Sequence, residues 1–243
     1  MTGDRWSRRT RATWQATLVV VPVVLLHQWR AEVSKCVGDR LSVYVHHGEN
    51  AKKEANRSLK PFVDADIVLT TYEHLRIEST WTVVNRALLR MHWWRLVLDE
   101  SQRVPKPANE RSAMTAIAKA CSELSRAHTW CMSGTPVGSV VDDLLGQLIV
   151  LGVQPYCDRG ENGDAFWERE VSGRWRAHDA EALEIVHDLL GQIMMRHSKA
   201  QTMVGADGSR SAIVSLPKKT EVTTLLHLTD ASERAVYGEL ERM

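Results

Sequence analysis

Two adjacent carboxylates, Asp99 and Glu100, end the apolar run at 96–98 and lead into the polar residues Ser101 and Gln102. A strand that delivers an acidic pair into a polar turn suits a nucleotide-hydrolysing site. One carboxylate can hold magnesium while the other orients a water molecule. Such a pair is common after apolar runs, so a structural strand end in any α/β protein is the alternative interpretation.

A hydroxyl-rich turn, Ser133 to Pro136, ends a second apolar run farther along the chain. The carboxyl ends of parallel strands meet at one edge of a sheet, where such folds bind ligands. The sequence therefore predicts that Asp99 and Thr135 face one crevice. Glycine and proline also mark ordinary turns, so a purely structural role for this segment is the alternative.

The 243 residues suffice for one sizeable domain or two small ones. With 31 basic and 30 acidic residues the formal net charge is +1, so any nucleic-acid contact must come from local patches. The apolar run at 18–26 is too short to span a bilayer, and no membrane partner is expected.

The four cysteines, at 36, 121, 131 and 157, are widely separated and are interpreted as buried thiols, with neither disulfides nor a zinc site expected. The ten histidines have no recognisable metal-binding spacing, and the pair His46-His47 is interpreted as a strand end.

Strand-like and helical patterns alternate as far as Leu151, which predicts an α/β fold with a parallel sheet. The run Thr17–Val21 is apolar on both faces, as in a strand covered by helices on each side. Further strands are predicted at 41–45, 67–69, 93–98, 128–132 and 222–228, helices at 25–36, 109–124, 140–151 and 179–196, loops at 158–164 and 204–211, and a final helix capped by Thr229 and Asp230.

Four ordered strings carry a family resemblance: TLVVVP (17–22), DIVLTTYEHL (66–75), LVLDESQRV (96–104) and WCMSGTPV (130–137). In this order and spacing they resemble the motor domain of Swi/Snf-type ATPases of helicase superfamily two. The strings at 194–199, 216–222 and 226–237 are similar to that family's continuation towards its second lobe. Shorter strings at 92–95, 126–137 and 151–157 resemble the SHPRH-like subgroup, which combines a helicase with linker-histone, PHD and RING modules.

The resemblance implies an incomplete RecA-like lobe, a parallel sheet flanked by helices with a helical protrusion in the carboxyl half. Residues 1–16 are then a basic arm or fragment start, and 17–157 form lobe one without its phosphate loop. Residues 158–213 form the helical protrusion and loops, and 214–243 return to lobe one and begin the linker to a missing second lobe.

The resemblance also assigns roles to particular residues. Asp99 is expected to hold the magnesium of bound ATP through water, and Glu100 to polarise the attacking water. Coupling between the nucleotide crevice and DNA is assigned to Gln102, Ser133, Gly134 and Thr135. The residues assigned to contacts with DNA phosphates, which position a duplex without reading its sequence, are Pro22, Gln28, Trp29, Thr70, Thr71 and Tyr72.

Three departures from the family pattern stand out. Gln102 occupies a position where many relatives have histidine, and Gly138-Ser139 replaces a usual glutamine-asparagine pair. The sequence also contains no Gly-Lys dipeptide, and therefore no phosphate-cradling Gly-Lys-Ser/Thr loop. We therefore expect that these residues alone do not hydrolyse ATP.

The expected function is that of part of an ATP-dependent DNA translocase, acting in the nucleus in chromatin remodelling or DNA repair. Its expected partners are double-stranded DNA or nucleosomes, a second motor lobe and, through a RING module outside this chain, a ubiquitin-conjugating enzyme. The alternative is a degenerate motor, a non-hydrolysing scaffold that binds DNA or nucleosomes.

Overall fold

The computed structural model describes residues 15–48, 51, 53, 58–82, 86–104, 116–138, 140–156, 166–198, 200–213, 217, 220–224 and 230–240. The chain forms two compact units, residues 1–192 and 193–243. The domain boundaries expected at 157 and 213 stay predictions.

A five-stranded sheet organises the first unit. Its strands are β1 (Thr17–Val21), β2 (Val43–Val45), β3 (Ile67–Thr71), β4 (His92–Asp99) and β5 (Ser125–Met132). They lie in the order β2-β3-β1-β4-β5, and every neighbouring pair is parallel. This arrangement confirms the predicted α/β fold with a parallel sheet.

The central strand β1 is buried on both faces, as its unbroken apolar run predicts. Leu18 and Val20 belong to the largest core cluster, which also holds Trp93 from β4. Val19 and Val21 belong to a smaller cluster on the opposite face. Packing on both faces holds the strand in place, and this positions the polar residues that follow its carboxyl end.

The helices of the first unit are short and lie between or after the strands. They are α1 (Leu26–Val37), α2 (Lys60–Asp64), α3 (Tyr72–Ser79), α4 (Ala87–Arg90), α5 (Ala116–Glu123), α6 (Asp143–Leu151), α7 (Gly173–Arg176) and α8 (Ala180–Ile193), which runs one residue past this unit. Short 3-10 turns occupy Val23–Leu25, Gly38–Arg40 and Ser101–Arg103, and a π-helical segment occupies Glu168–Ser172.

Helix α3 was missed in the sequence, where the polar residues after β3 resembled a strand end. The hydroxyl of Thr71 accepts a hydrogen bond from the backbone N–H of His74 at 3.1 Å. This side-chain cap satisfies an otherwise unpaired donor at the helix start. The helix then buries Tyr72, Leu75 and Glu78.

A second core cluster joins α6 to the segments that follow it. It includes Val141, Leu144, Leu148, Trp167 and Val186. The Trp167 indole N–H donates to Asp142 Oδ1 at 2.7 Å, with both residues buried. The predicted start of this helix at 140 was early, because α6 begins only after Asp142.

The second unit contains an antiparallel pair, β6 (Thr202–Val204) and β7 (Arg210–Ala212), so the predicted loop at 204–211 was too long. Residues 222–224 are not a strand, which corrects the strand predicted at 222–228 in its described part. Helix α9 (Ala231–Leu240) begins after Asp230, whose Oδ1 accepts from the Ser232 N–H at 2.7 Å and confirms the predicted cap.

Two predictions fall partly or wholly on undescribed positions: the start of the 109–124 helix, described only from 116, and the loop at 158–164. Among the described helices, none has the length and apolar character needed to cross a membrane.

Candidate functional site

The crevice between β1 and β4 lies where the chain changes direction across the sheet. The connection after β1 leads towards β2, while the connection after β4 leads to β5 on the other side. In open α/β sheets, ligands bind at such a switch point, outside the carboxyl ends of the strands. Asp99, the last residue of β4, lies there.

The Asp99 carboxylate is held in a fixed orientation. Its Oδ2 accepts from the indole N–H of Trp29 at 2.7 Å, and its Oδ1 accepts from the backbone N–H of Glu100 at 2.9 Å. The Tyr72 hydroxyl donates to the Asp99 carbonyl oxygen at 2.8 Å. Helices α1 and α3 thus both anchor the end of β4, and Asp99 stays half-buried rather than enclosed.

Glu100 adopts a left-handed backbone conformation, with φ 52° and ψ 48°. For a residue other than glycine this conformation costs about 1–2 kcal/mol. Its Oε2 accepts from the Gln102 Nε2–H at 2.6 Å, so the strained turn places a carboxylate beside an amide. Strain of this kind is typical of functional turns.

The side chain of Gln102 bridges the two strand ends. Its Oε1 accepts from the Ser133 hydroxyl at 2.6 Å, and Ser133 Oγ accepts from the Thr135 N–H at 3.0 Å. Asp99 pairs with Met132 in the sheet register, so both turns begin at the same level. The acidic pair and the hydroxyl-rich turn thus lie at the same edge of the sheet, as predicted, and hydrogen bonds join them.

Gln102 therefore fits its place, although the family resemblance led us to expect histidine there. An amide offers a donor and an acceptor at once, as does a neutral imidazole through its two ring nitrogens. Gln102 donates to a carboxylate and accepts from a hydroxyl, as the two neighbours require.

A second link between the turns was missed in the sequence. The Ser101 hydroxyl donates to Gln147 Oε1 at 2.9 Å, and Gln147 Nε2 donates to the Pro136 carbonyl at 2.7 Å. Gln147 is buried in α6 among leucines, isoleucine and valine. The sequence did contain a signal for this link: Gln147 is a single amide within an apolar helix, and a buried amide needs hydrogen-bond partners.

Comparison with known proteins decides the family. Residues 5–242 match the family described as "SNF2-related domain". The chain belongs to the SNF2 family. This result confirms the resemblance on which the site assignments rest.

Similar proteins include DNA repair protein RAD5B of Arabidopsis thaliana, 31% identical over 92% of this chain and 16% of its own length. DNA repair protein rad8 of Schizosaccharomyces pombe is 29% identical over 93% of this chain and 19% of its length. The human E3 ubiquitin-protein ligase SHPRH is 27% identical over 92% of this chain and 13% of its length. This chain thus spans less than a fifth of the length of each of these relatives.

The Sulfolobus solfataricus SWI2/SNF2 ATPase core, solved in complex with double-stranded DNA, has a similar fold. The TM-score is 0.59 at 24% identity, and the alignment covers 81% of this chain and 36% of that one. The likeness supports the RecA-like fold of the sheet. Membership of the SNF2 family implies that the domain works with a nucleotide.

The glycine at position 138 has a local physical reason. The N–H groups of Gly138 and Val140 both donate to Asp143 Oδ2, at 3.0 and 3.2 Å. A Cβ atom at position 138 would lie 2.9 Å from this oxygen. The glycine therefore leaves space for the carboxylate that orders the turn. Ser139 lies outside the described residues.

Most of the side chains assigned to DNA contacts are engaged within the SNF2 domain. Thr70, Thr71 and Tyr72 are fully buried. The Thr70 hydroxyl donates to the His46 carbonyl at 2.8 Å. Burial, with the nearby Cys121 thiol as a smaller cause, raises the pKa of Tyr72, whose hydroxyl is used on the Asp99 carbonyl.

The remaining three positions lie at the end of β1. Pro22 is buried, Trp29 is half-buried with its N–H on Asp99, and Gln28 is exposed on α1. The sequence reasoning missed Val23 and Val24, which are 47% and 80% exposed at the same strand end. Gln28 and this apolar pair are accessible to a partner.

The residues of the crevice fit one half of a magnesium–nucleotide site. Each oxygen of Asp99 accepts one hydrogen bond and retains lone pairs for a magnesium-bound water. These residues do not provide the phosphate-binding half, because the sequence has no Gly-Lys loop to cradle the phosphate groups.

Proposed function

We propose that this SNF2 domain supplies the acidic half of the ATP-hydrolysing site of a DNA translocase. The observation that carries the proposal is the hydrogen-bonded relay from Glu100 through Gln102 to Ser133. It links the position of a water-orienting carboxylate to the turn after the neighbouring strand. A structural strand end would not require such a link.

In this proposal Asp99 holds magnesium through a water molecule, and Glu100 accepts hydrogen bonding from the attacking water. When bound, magnesium-ATP supplies the transferable phosphoryl group and the charge that these residues position. Trp29 fixes the orientation of the Asp99 carboxylate from α1. We assign the cradling of the phosphates to polypeptide outside these 243 residues, because they contain no Gly-Lys dipeptide.

We assign the coupling between nucleotide and DNA to Gln102, Ser133, Gly134 and Thr135. A change in the Glu100 carboxylate alters the bond to Gln102, and Gln102 transmits it to Ser133 at 2.6 Å. The backbone N–H of Thr135 moves with Ser133, because it donates a hydrogen bond to Ser133 Oγ. The turn after β5 thereby responds to the state of the acidic turn.

Double-stranded DNA or a nucleosome is the proposed partner. Of the six residues assigned to DNA contacts, Gln28 is the exposed one, and we assign it a direct phosphate contact. The other assigned residues are proposed to hold the backbone of this edge in the conformation that contacts DNA. They are Pro22, Trp29, Thr70, Thr71 and Tyr72. The names of RAD5B and rad8 as DNA repair proteins, and the DNA-bound archaeal ATPase core, support this partner.

The larger protein is proposed to act in the nucleus in DNA repair or chromatin remodelling, with a second motor lobe. Similarity to the ubiquitin ligase SHPRH supports a further partner, a ubiquitin-conjugating enzyme bound by a RING module outside these residues.

The test is DNA-stimulated ATP hydrolysis by the full-length protein that contains this domain. We expect Glu100→Gln to lower the stimulated rate by at least a hundredfold while ATP binding is retained. Glu184→Gln, an exposed change on α8, is the matched control and should leave the rate unchanged. Hydrolysis that survives Glu100→Gln would remove Glu100 from the proposed role.

A non-hydrolysing scaffold is the second candidate, favoured by the lack of a Gly-Lys dipeptide in this sequence. It predicts a full-length protein that binds duplex DNA, has no ATP hydrolysis above background, and is indifferent to Glu100→Gln. DNA binding by anisotropy, measured beside the hydrolysis assay, separates the two functions.

A further inference from the structure

A buried cluster of three potential metal ligands lies elsewhere in the first unit and shares no residue with the acidic turn. His46 follows β2, while His74 and Glu78 lie one turn apart on α3. They are 0%, 7% and 0% exposed. One ligand atom from each residue lies within 4.8 Å of the other two.

Two members of the cluster are already joined and oriented. His46 Nε2 lies 3.0 Å from Glu78 Oε2, and Glu78 Oε1 accepts from the Leu88 backbone N–H at 2.5 Å. Nδ1 of His46 lies 3.4 Å from the Tyr44 hydroxyl. This second contact allows the His46 proton to reside on Nδ1, which leaves Nε2 free to bind a cation.

His74 has an unsatisfied nitrogen in the same place. Its Nε2 is buried and has no hydrogen-bond partner among the residues that the structure describes. Leaving a buried polar atom unpaired costs about 1–3 kcal/mol.

The ring geometry suits a shared ion. The His46 and His74 rings are nearly perpendicular, at 85°, with centroids 4.8 Å apart. With zinc–nitrogen bonds of about 2.0–2.1 Å, two imidazoles on one tetrahedral ion have centroids roughly 5 Å apart. Closing the three ligand atoms around the ion requires side-chain movements of about an ångström, since zinc-bound atoms lie roughly 3.4 Å apart.

We propose that His46, His74 and Glu78 form a buried binding site for one divalent transition-metal ion of the zinc type. Two imidazole nitrogens and one carboxylate oxygen are a donor set that zinc accepts, with a fourth position left for water. The inference goes beyond the proposed function and does not depend on it.

The ion would tie the segment after β2 to α3. His47 Nδ1 lies 3.3 Å from the Thr71 hydroxyl, and the same hydroxyl caps α3. A bound metal would therefore hold the end of β3 in place, beside the edge of the sheet that carries Asp99. It would also satisfy the unpaired nitrogen of His74.

The test is a cobalt(II) titration of the chelator-treated 243-residue chain, followed by displacement with zinc. We expect one equivalent of cobalt, with the visible absorption of a four- or five-coordinate ion that zinc abolishes. We also expect zinc to raise the thermal midpoint in a concentration-dependent way, because it binds the folded state.

His74→Asn and Glu78→Gln should each weaken cobalt binding at least tenfold. His187→Ala is the control, because its imidazole is highly exposed on α8, and it should bind cobalt like the parent chain. His74→Asn is the decisive variant, since it removes no hydrogen bond from Nε2 and its fold can be checked by circular dichroism. No visible absorption in the parent, or full binding by folded His74→Asn, would overturn the site.

Discussion

The indole N–H of Trp29 donates to Oδ2 of Asp99 across 2.7 Å, which joins the helix after β1 to the end of β4. In the sequence the two residues belonged to different functional sets, one for DNA and one for magnesium. Their contact means that a disturbance of α1 reaches the acidic pair directly. A DNA partner at the β1 end could act on the nucleotide crevice by this route.

Replacing Trp29 with phenylalanine removes this donor and keeps most of the apolar contact. A hydrogen bond to a charged group contributes about 1.5–3 kcal/mol, and we expect the low end because the site is half-buried. Chemical denaturation should therefore report a free energy of unfolding lower by about 1.5 kcal/mol. The DNA-stimulated hydrolysis of the full-length protein should also fall, because the Asp99 carboxylate loses the donor that orients it. Trp175→Phe, at an exposed position, is the control; equal behaviour of the two variants would count against a positioning role for Trp29.

Gln102 is expected to control coupling rather than nucleotide binding. Gln102→Leu keeps the size of the side chain but cannot bond to Glu100 or Ser133. In the full-length protein we expect the stimulation of hydrolysis by DNA to be lost, with ATP affinity changed less than threefold. Gln102→His should retain the stimulation, because a neutral imidazole has both a donor and an acceptor. Stimulation that persists in Gln102→Leu would show that the relay carries no signal.

The left-handed backbone of Glu100 predicts an unusual order of stabilities. Glu100→Gly relieves a strain of about 1–2 kcal/mol, whereas Glu100→Ala keeps it. Urea denaturation of the 243-residue chain should therefore rank glycine above alanine, by about 1 kcal/mol. At Arg103, in the turn that follows, the order should reverse, because glycine is the less favourable residue in a helical conformation. The same order at both positions would contradict the assignment of strain to Glu100.

The cysteines should differ sharply in reactivity. Cys36 is exposed, which corrects its interpretation as a buried thiol, whereas Cys121 is buried and Cys131 is half-buried. Burial, before any other cause, raises the pKa of both Cys121 and Cys131 to about 12. Iodoacetamide at pH 8, followed by peptide mapping, should label Cys36 rapidly and the other two only after denaturation. Rapid labelling of Cys131 in the folded chain would contradict its protection.

These raised pKa values also set a pH dependence. The folded state holds both thiols neutral, while in the unfolded chain a thiol ionises near pH 8.5. Their contribution to stability is thus complete below that value and is lost as the pH rises towards 12. We expect the unfolding free energy of Cys121→Ser to decline less steeply through this alkaline range than that of the parent chain.

The strands of the parallel sheet could be predicted from the sequence because each one is a short, local run of apolar residues. The apolar run at Thr17–Val21 predicts a strand covered on both faces, and the structure has it at those bounds. The acidic pair and the hydroxyl-rich turn were also found, because each directly follows an apolar strand. Helix α3 escaped, since its start depends on a capping bond from Thr71 that no periodicity reveals.

The buried cluster of His46, His74 and Glu78 shows the other limit. His46 was interpreted as a strand end, and the histidines had no recognisable spacing in the sequence. Only the parallel pairing of β2 with β3 brings His46 against α3. His74 and Glu78 are four residues apart, but the sequence analysis did not predict the helix that places them on one face.

By itself, the sequence determined the five strands of the parallel sheet, the polar residues at their ends and the family, because these depend on short runs of residue types. Only the tertiary structure decided which side chains meet across those ends: Trp29 with Asp99, and Gln102 with Ser133. The physical reason is that a hydrogen bond depends on distances below about 3.2 Å between residues far apart in the chain. Strand register and helix packing set such distances.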